Sequence, residues 1–158
     1  MSTSLLTHDW HEPMKTVFRL RDELAANPER VAKTQSLTLD TAKPHAGLRG
    51  NCGLFGSDDW WNSIATGRIP LLRLSGIVER AYSTGQDAAH INTIDIRAAD
   101  GSLRTVGIYV NNKGDLPLFR VGRKVAIVYA LDELKQQPAA DGGLNTSKIA
   151  LEMSVSLS

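Results

Sequence analysis

The sequence contains one cysteine, Cys52, among 158 residues. An intrachain disulfide is therefore excluded, and with it the disulfide framework that stabilises many small secreted domains. Residues 1–10 have neither a basic start nor an apolar run, so no secretory signal is predicted. No stretch approaches the roughly 18 consecutive apolar residues of a membrane-spanning helix. We expect a cytoplasmic, bacterial protein.

The sequence also lacks a large excess of either charge, since its formal net charge is +1. Proteins that bind nucleic acid without sequence preference usually carry a strong basic excess, because neutralising phosphates dominates their affinity. Residues 68–135 contain ten lysines and arginines against seven aspartates and glutamates. This small bias is compatible with a polyanionic ligand but does not by itself predict one.

Recognisable catalytic motifs are absent as well. The sequence has no G-x-S-x-G nucleophile elbow and no Gly-Lys-Ser/Thr phosphate loop. His8 and His11 are three residues apart, but zinc takes three or four ligands. The chain is therefore predicted not to be an enzyme and to bind neither metal nor cofactor.

Residues 1–35 are predicted to be helical and to pack on the rest of the chain. Asn27 can cap a second short helix in which Pro28 takes the first position. Residues 36–41 alternate and predict a short strand. A partner-binding helix is the alternative for the amphipathic amino-terminal segment. The apolar residues that recur at helical spacing are Met14, Val17, Phe18, Leu24 and Ala25.

Residues 36–68 are predicted to form a glycine-rich loop followed by a short helix. Ser57 is a candidate N-cap for a helix that carries Trp60 and Trp61, and Gly67 suits the position after its end. The loop is expected to pass closely over a β module, because glycine allows a close approach of the backbone. The glycines that recur at every third position are Gly47, Gly50, Gly53 and Gly56.

Residues 69–158 are predicted to form five antiparallel strands. The predicted strands span residues 71–82, 90–97, 103–110, 122–131 and 149–157. A short helical connection at residues 115–119 joins the third strand to the fourth. The chain resembles the oligonucleotide/oligosaccharide-binding (OB) fold in this order of elements. Two further points of resemblance are Gly76 in the first strand and residues 119–125 at the entry to the fourth strand. The resemblance implies an α+β chain: a five-stranded antiparallel barrel preceded by the helical segment and the tryptophan-bearing helix, together one structural domain.

The adjacent tryptophans are the most informative local feature. Neighbouring residues on a helix point about 100° apart, so one indole can fill the core while the other stays partly exposed. Tryptophan is enriched in binding hot spots, which predicts a partner-binding site at Trp60, Trp61, Phe55 and Arg68. Alternatively, both indoles cover one open end of the barrel.

Two functions follow from these patterns. The first is a non-enzymatic module that acts through protein–protein interaction, as an adaptor, inhibitor or immunity-type protein. The alternative is an OB-type protein that binds single-stranded nucleic acid through arginines and stacking aromatics. The residues predicted for that alternative are Arg73, Arg80, Tyr82, Arg97, Arg104 and Tyr109. A protein partner is expected, nucleic acid is the alternative partner, and no association with a membrane is expected.

Overall fold

The computed structural model describes residues 5–6, 12–85 and 90–158. The chain divides into two compact units, each built from separate segments of the sequence. Unit 1 comprises residues 1–20, 73–128 and 150–158, and unit 2 comprises residues 21–72 and 129–149. No helix in the described ranges is long and apolar enough to cross a membrane.

Six strands form one antiparallel sheet within the described residues. In chain order they are β1 (Met14–Arg19), β2 (Leu71–Tyr82), β3 (Thr93–Arg97), β4 (Leu103–Gly107), β5 (Lys124–Glu133) and β6 (Thr146–Ser156). Their order across the sheet is β1-β6-β5-β2-β3-β4. β1 and β4 are thus the two edges, and the described strands do not close on each other. The mixed α and antiparallel β class is confirmed, whereas the five-stranded OB-like barrel is wrong in strand number and closure.

The sixth strand is β1, which replaces part of the helical segment predicted for residues 1–35. β1 pairs antiparallel with β6, and its register shifts between Thr16 and Phe18. The resulting bulge leaves Val17 and Phe18 both buried. Two consecutive buried residues obscure the alternation that marks a strand, so the apolar spacing resembles that of a helix. Pairing with β6 gives β1 backbone hydrogen bonds along one side and overrides the local pattern.

β6 confirms the carboxy-terminal strand that alternation predicts. Its apolar residues are buried, and so are the polar residues between them. The Ser154 hydroxyl lies 3.2 Å from the Thr16 hydroxyl, and the Ser156 hydroxyl accepts a hydrogen bond from the Lys124 N–H at 2.9 Å. Both faces of β6 therefore contribute to the interior, with each buried hydroxyl given a partner.

Strands β2, β3 and β4 form an antiparallel meander in which β2 has the predicted bounds. The register shift in β2 lies between Val78 and Arg80. A Cβ atom at Gly76 would lie 2.6 Å from the Arg97 carbonyl oxygen, so this glycine permits a close backbone approach. The predicted helical connection after β4 is a 3-10 helix, Lys113–Leu118.

Three helices precede β2: α1 (Leu20–Ala26), α2 (Pro28–Leu39) and α3 (Asp58–Ala65). Pro28 occupies the first turn of α2, as predicted. The strand predicted at residues 36–41 is wrong, because α2 continues to Leu39. Two apolar residues at alternate positions, Leu37 and Leu39, are too few to distinguish a strand from an exposed helical turn, and Leu39 is 65% exposed.

The glycine-rich loop of unit 2 packs on helices rather than over a barrel, which corrects the prediction. A Cβ atom at Gly47 would meet the Leu37 side chain of α2 at 2.8 Å, and one at Gly56 would meet Val31 at 3.2 Å. At Gly53 it would lie 2.7 Å from the backbone nitrogen of Trp60 in α3. The four regularly spaced glycines all have positive φ angles. The regular spacing of these glycines therefore allows the loop to pack closely on α2 and α3.

Substitution of Gly53 by alanine tests this packing. Gly53 and Gly67 both have positive φ, but a Cβ atom at Gly67 would have nothing within 4 Å. Gly67→Ala should cost about 1–2 kcal/mol for the left-handed backbone alone. Gly53→Ala should lower the free energy of unfolding by a further ~1–3 kcal/mol, because the new methyl group meets fixed backbone atoms. Urea unfolding of both variants measures the difference, and equal losses would contradict the packing argument.

Candidate protein-binding site

Three aromatic side chains of unit 2 form a continuous row, here called the aromatic row. The Phe55 and Trp60 ring centroids are 5.0 Å apart, and those of Trp60 and Trp61 are 4.8 Å apart, both in edge-to-face arrangement. α3 fixes the two tryptophans. Its N-cap is Ser57, whose hydroxyl accepts the Trp60 backbone N–H at 3.2 Å, as predicted.

Trp60 is the buried centre of the aromatic row, with 0% of its surface exposed. Its indole N–H donates a hydrogen bond to the Asp132 carboxylate at 2.9 Å. Asp132 lies near the end of β5 and is itself buried. Burial raises the pKa of the Asp132 carboxyl above its ordinary value, and the Trp60 hydrogen bond opposes that rise. The core of unit 2 thus contains a carboxylate that depends on the indole donor.

Trp61 is the partly exposed end of the aromatic row. The Arg21 guanidinium of α1 lies 4.0 Å from the centroid of its ring. This distance is typical of a cation–π contact, and Arg21 is itself exposed. Trp60 and Arg21 therefore hold Trp61 from two sides. The division between one buried and one partly exposed indole agrees with the helical geometry predicted from sequence.

Phe55 is the other end of the aromatic row and is 3% exposed. The Arg30 guanidinium of α2 lies 5.8 Å from its ring centroid. The Phe55 carbonyl oxygen accepts a hydrogen bond from the Gln35 side-chain amide at 2.9 Å. Phe55 supports the surface from beneath, whereas Trp61 is the aromatic that a partner can reach.

Arg68 lies beyond the end of α3 and is exposed. Its carbonyl oxygen is 4.0 Å from the Cys52 thiol, and Cys52 is partly buried. The structure thus joins Phe55, Trp60 and Trp61 by direct contact and leaves the Arg68 side chain at the surface outside the row.

The residues predicted for nucleic-acid binding lie in unit 1, and two of them bond to acids. Arg97 forms a bidentate ion pair with Glu79 at 2.8 and 2.9 Å, and this hydrogen bonding lowers the pKa of Glu79. The Arg80 guanidinium lies 4.2 Å from the Tyr82 ring centroid. The Tyr82 hydroxyl donates to Asp95 at 2.9 Å, which raises the pKa of Tyr82. The face of β2 and β3 therefore carries interleaved charges of both signs.

The remaining three of these residues have separate surroundings. Arg73 donates to the Leu5 carbonyl oxygen at 3.1 Å, and Arg104 donates to the Ser102 hydroxyl at 3.4 Å. The Tyr109 ring packs against Phe18 with centroids 5.6 Å apart.

Metal ligands are not grouped anywhere in the described part of the chain, where no three histidine, cysteine, aspartate or glutamate residues lie close enough to hold an ion. His8 and His11 lie outside the described residues.

Comparison with known families decides what class of protein this is. The family model described as "Immunity protein RhsI2" matches residues 14–156. The chain belongs to the RhsI2 immunity protein family. A search of the curated proteins gives no match.

Membership in the RhsI2 family confirms the predicted non-enzymatic, protein-binding role of the immunity type. The protein partner of such a protein is a toxin. The family also supports the predicted bacterial origin, and no OB-fold family is identified. The matched residues include the whole aromatic row, together with Arg21 and Asp132.

Arg21 and Asp132 are the two residues of the candidate site that the sequence does not single out. Arg21 is 40 positions from Trp61, and Asp132 forms its bond with Trp60 across 72 positions. The one available signal for Asp132 is its position directly after the apolar run of β5, since a carboxylate that is buried beside such a run needs a buried donor.

Replacement of Trp60 by phenylalanine tests the buried hydrogen bond. The change removes the indole donor and should lower the free energy of unfolding by about 1–3 kcal/mol at pH 7.5, in addition to lost packing. Because the folded-state pKa of Asp132 is raised, its contribution to stability is greatest at low pH and is lost as the pH rises through that pKa. Loss of the donor raises this pKa further, so the destabilisation should be smaller at pH 4 than at pH 7.5.

Urea unfolding at the two pH values provides the measurement. Trp61→Phe is the matched control, because it makes the same change in the partly exposed indole next to Trp60. Its effect should not differ between pH 4 and pH 7.5. A pH-independent loss in Trp60→Phe would contradict a dependence of the Asp132 carboxylate on the indole.

Proposed function

We propose that this immunity protein neutralises its toxin by forming a stoichiometric complex through the surface around Trp61, with Arg21 stacked on the indole and Arg68 as a further contact. The observation that carries this proposal is the Arg21–Trp61 stack above a buried aromatic support. Tryptophan and arginine are the residues most enriched in interface hot spots, together with tyrosine.

The stack supports tight binding because it is already ordered in the free protein. Trp60 contacts the Trp61 ring at its edge and is itself fixed by Asp132. A side chain that is held before binding loses less conformational entropy when the complex forms. The Arg21 guanidinium retains donors that can pair with carboxylates or carbonyl oxygens of the toxin.

The charges close to the stack also favour a protein partner. Asp58 and Asp59 are exposed in the first turn of α3, next in sequence to the tryptophans. A surface that carries both acids and arginines near an aromatic side chain is typical of the polar rim of protein interfaces. The predicted nucleic-acid function and cytoplasmic location remain predictions, and the acids beside Arg97 and Tyr82 do not favour a polyanion on that face.

Substitution of Trp61 by alanine tests the proposed site. Trp61→Ala should weaken binding of the purified toxin by more than about tenfold, the equivalent of ~1.4 kcal/mol, because the stacked aromatic contact is lost. Isothermal titration calorimetry gives the dissociation constant, and survival of bacteria that co-express the toxin gives the protective effect. Arg21→Ala should have a smaller effect in the same direction.

The matched control is Tyr109→Ala, which truncates a partly exposed aromatic side chain of unit 1. It should bind the toxin within about threefold of the wild type. Thermal unfolding of each variant separates lost contact from lost fold. Unchanged binding by a folded Trp61→Ala variant would overturn the proposed site.

A further inference from the structure

A groove in unit 2 lies at the Phe55 end of the aromatic row, between α2, the glycine-rich loop and the adjoining ends of β5 and β6. Its volume is about 390 Å³, within the range of sites that hold a ligand or an inserted side-chain cluster. The apolar side chains that line it are Leu37, Leu48, Phe55, Leu134 and Ile149.

The charges on the groove are of one sign. Arg30 and Lys33 line it from α2, and no aspartate or glutamate is among its lining residues. Both cations are exposed, and neither forms an ion pair with another described residue. Arg30 lies over the Phe55 ring instead. An apolar floor beneath two cations is complementary to an apolar group that carries a negative charge beside it.

α2 forms a fixed wall of this groove although none of its twelve residues is buried. The Lys135 ammonium donates to the Leu37 carbonyl oxygen at 2.7 Å, to that of Asp40 at 3.3 Å and to that of Lys43 at 3.1 Å. These contacts place a positive charge at the carboxy-terminal end of the helix, where it is favourable. At its middle, Gln35 bonds to the Phe55 carbonyl oxygen. The groove is therefore formed before any partner arrives.

We infer that the groove is a second contact site for the toxin, which receives an apolar side chain flanked by a carboxylate. The apolar side chain inserts above Phe55 and Leu48, and the carboxylate pairs with Lys33 and Arg30. The inference rests on the proposed toxin-binding function, but on different residues from the Trp61 surface. Binding at both ends of one rigid aromatic row would let each contact form without reordering the other.

Charge reversal at Lys33 tests the inference with the full-length protein and the purified toxin. Lys33→Glu should weaken binding at least about tenfold, and most of the loss should appear as slower association at low salt. Lys33→Arg should stay within about threefold of the wild type, since it keeps the charge. Lys113→Glu is the matched control: it makes the same charge change at an exposed residue in unit 1 and should also stay within about threefold.

The outcomes separate this inference from the proposed function. If Trp61→Ala weakens binding and Lys33→Glu does not, the groove inference is overturned and the Trp61 site stands. If Lys33→Glu alone weakens binding, the groove stands and the Trp61 site fails. If neither does, both fail. Equal losses of affinity in Lys33→Glu and Lys113→Glu would overturn the groove inference, because they would show a general charge effect. A shift from dimer to monomer in Lys33→Glu without toxin would also overturn it, because a second copy of the chain would then be the occupant of the groove.

Discussion

The hydrogen bond between the Trp60 indole and the Asp132 carboxylate is the constraint on which unit 2 depends. A fully buried indole needs an acceptor, and a buried carboxylate needs donors, so each group makes the burial of the other tolerable. The bond ties α3 to the end of β5. Because Trp60 is fixed in this way, the rings on either side of it are also fixed, and the positions of Phe55 and Trp61 follow from one buried contact.

Glycines allow the chain to reach this arrangement within so short a segment. Gly53 brings the loop against the backbone of α3, and Gly56 brings it against α2. The loop is also anchored on the strand side, where the Arg49 N–H bonds to the Glu133 carbonyl oxygen at 2.9 Å. Side chains at these glycine positions would push the loop away from the two helices. The regular spacing therefore has a packing role.

The sequence predicted those features whose causes are local. The Ser57 cap of α3, the division of roles between Trp60 and Trp61, and the bounds of β2 all depend on neighbours in the chain. β1 could not be predicted, because its bulge at Val17 hides the alternation and its partner β6 lies more than 130 positions away. The same limit applies to the site, where Arg21 and Asp132 reach the tryptophans only through the fold. The predicted closed barrel is wrong because β1 adds an edge strand beside β6. This strand changes the topology of the sheet, but the sequence patterns of the other five strands do not reveal it.

The arrangement of charge and aromatic surface in unit 2 is consistent with inhibition by binding rather than by chemistry. Each end of the aromatic row carries an arginine, Arg21 at Trp61 and Arg30 at Phe55, while the Asp132 carboxylate that bonds to Trp60 is buried. An inhibitor gains affinity when its cationic and apolar groups are held in place before it meets its partner, because these side chains then lose less conformational entropy on binding. Buried support under surface arginines provides that preorganisation. The same buried carboxylate cannot act on a partner, because the protein itself encloses it.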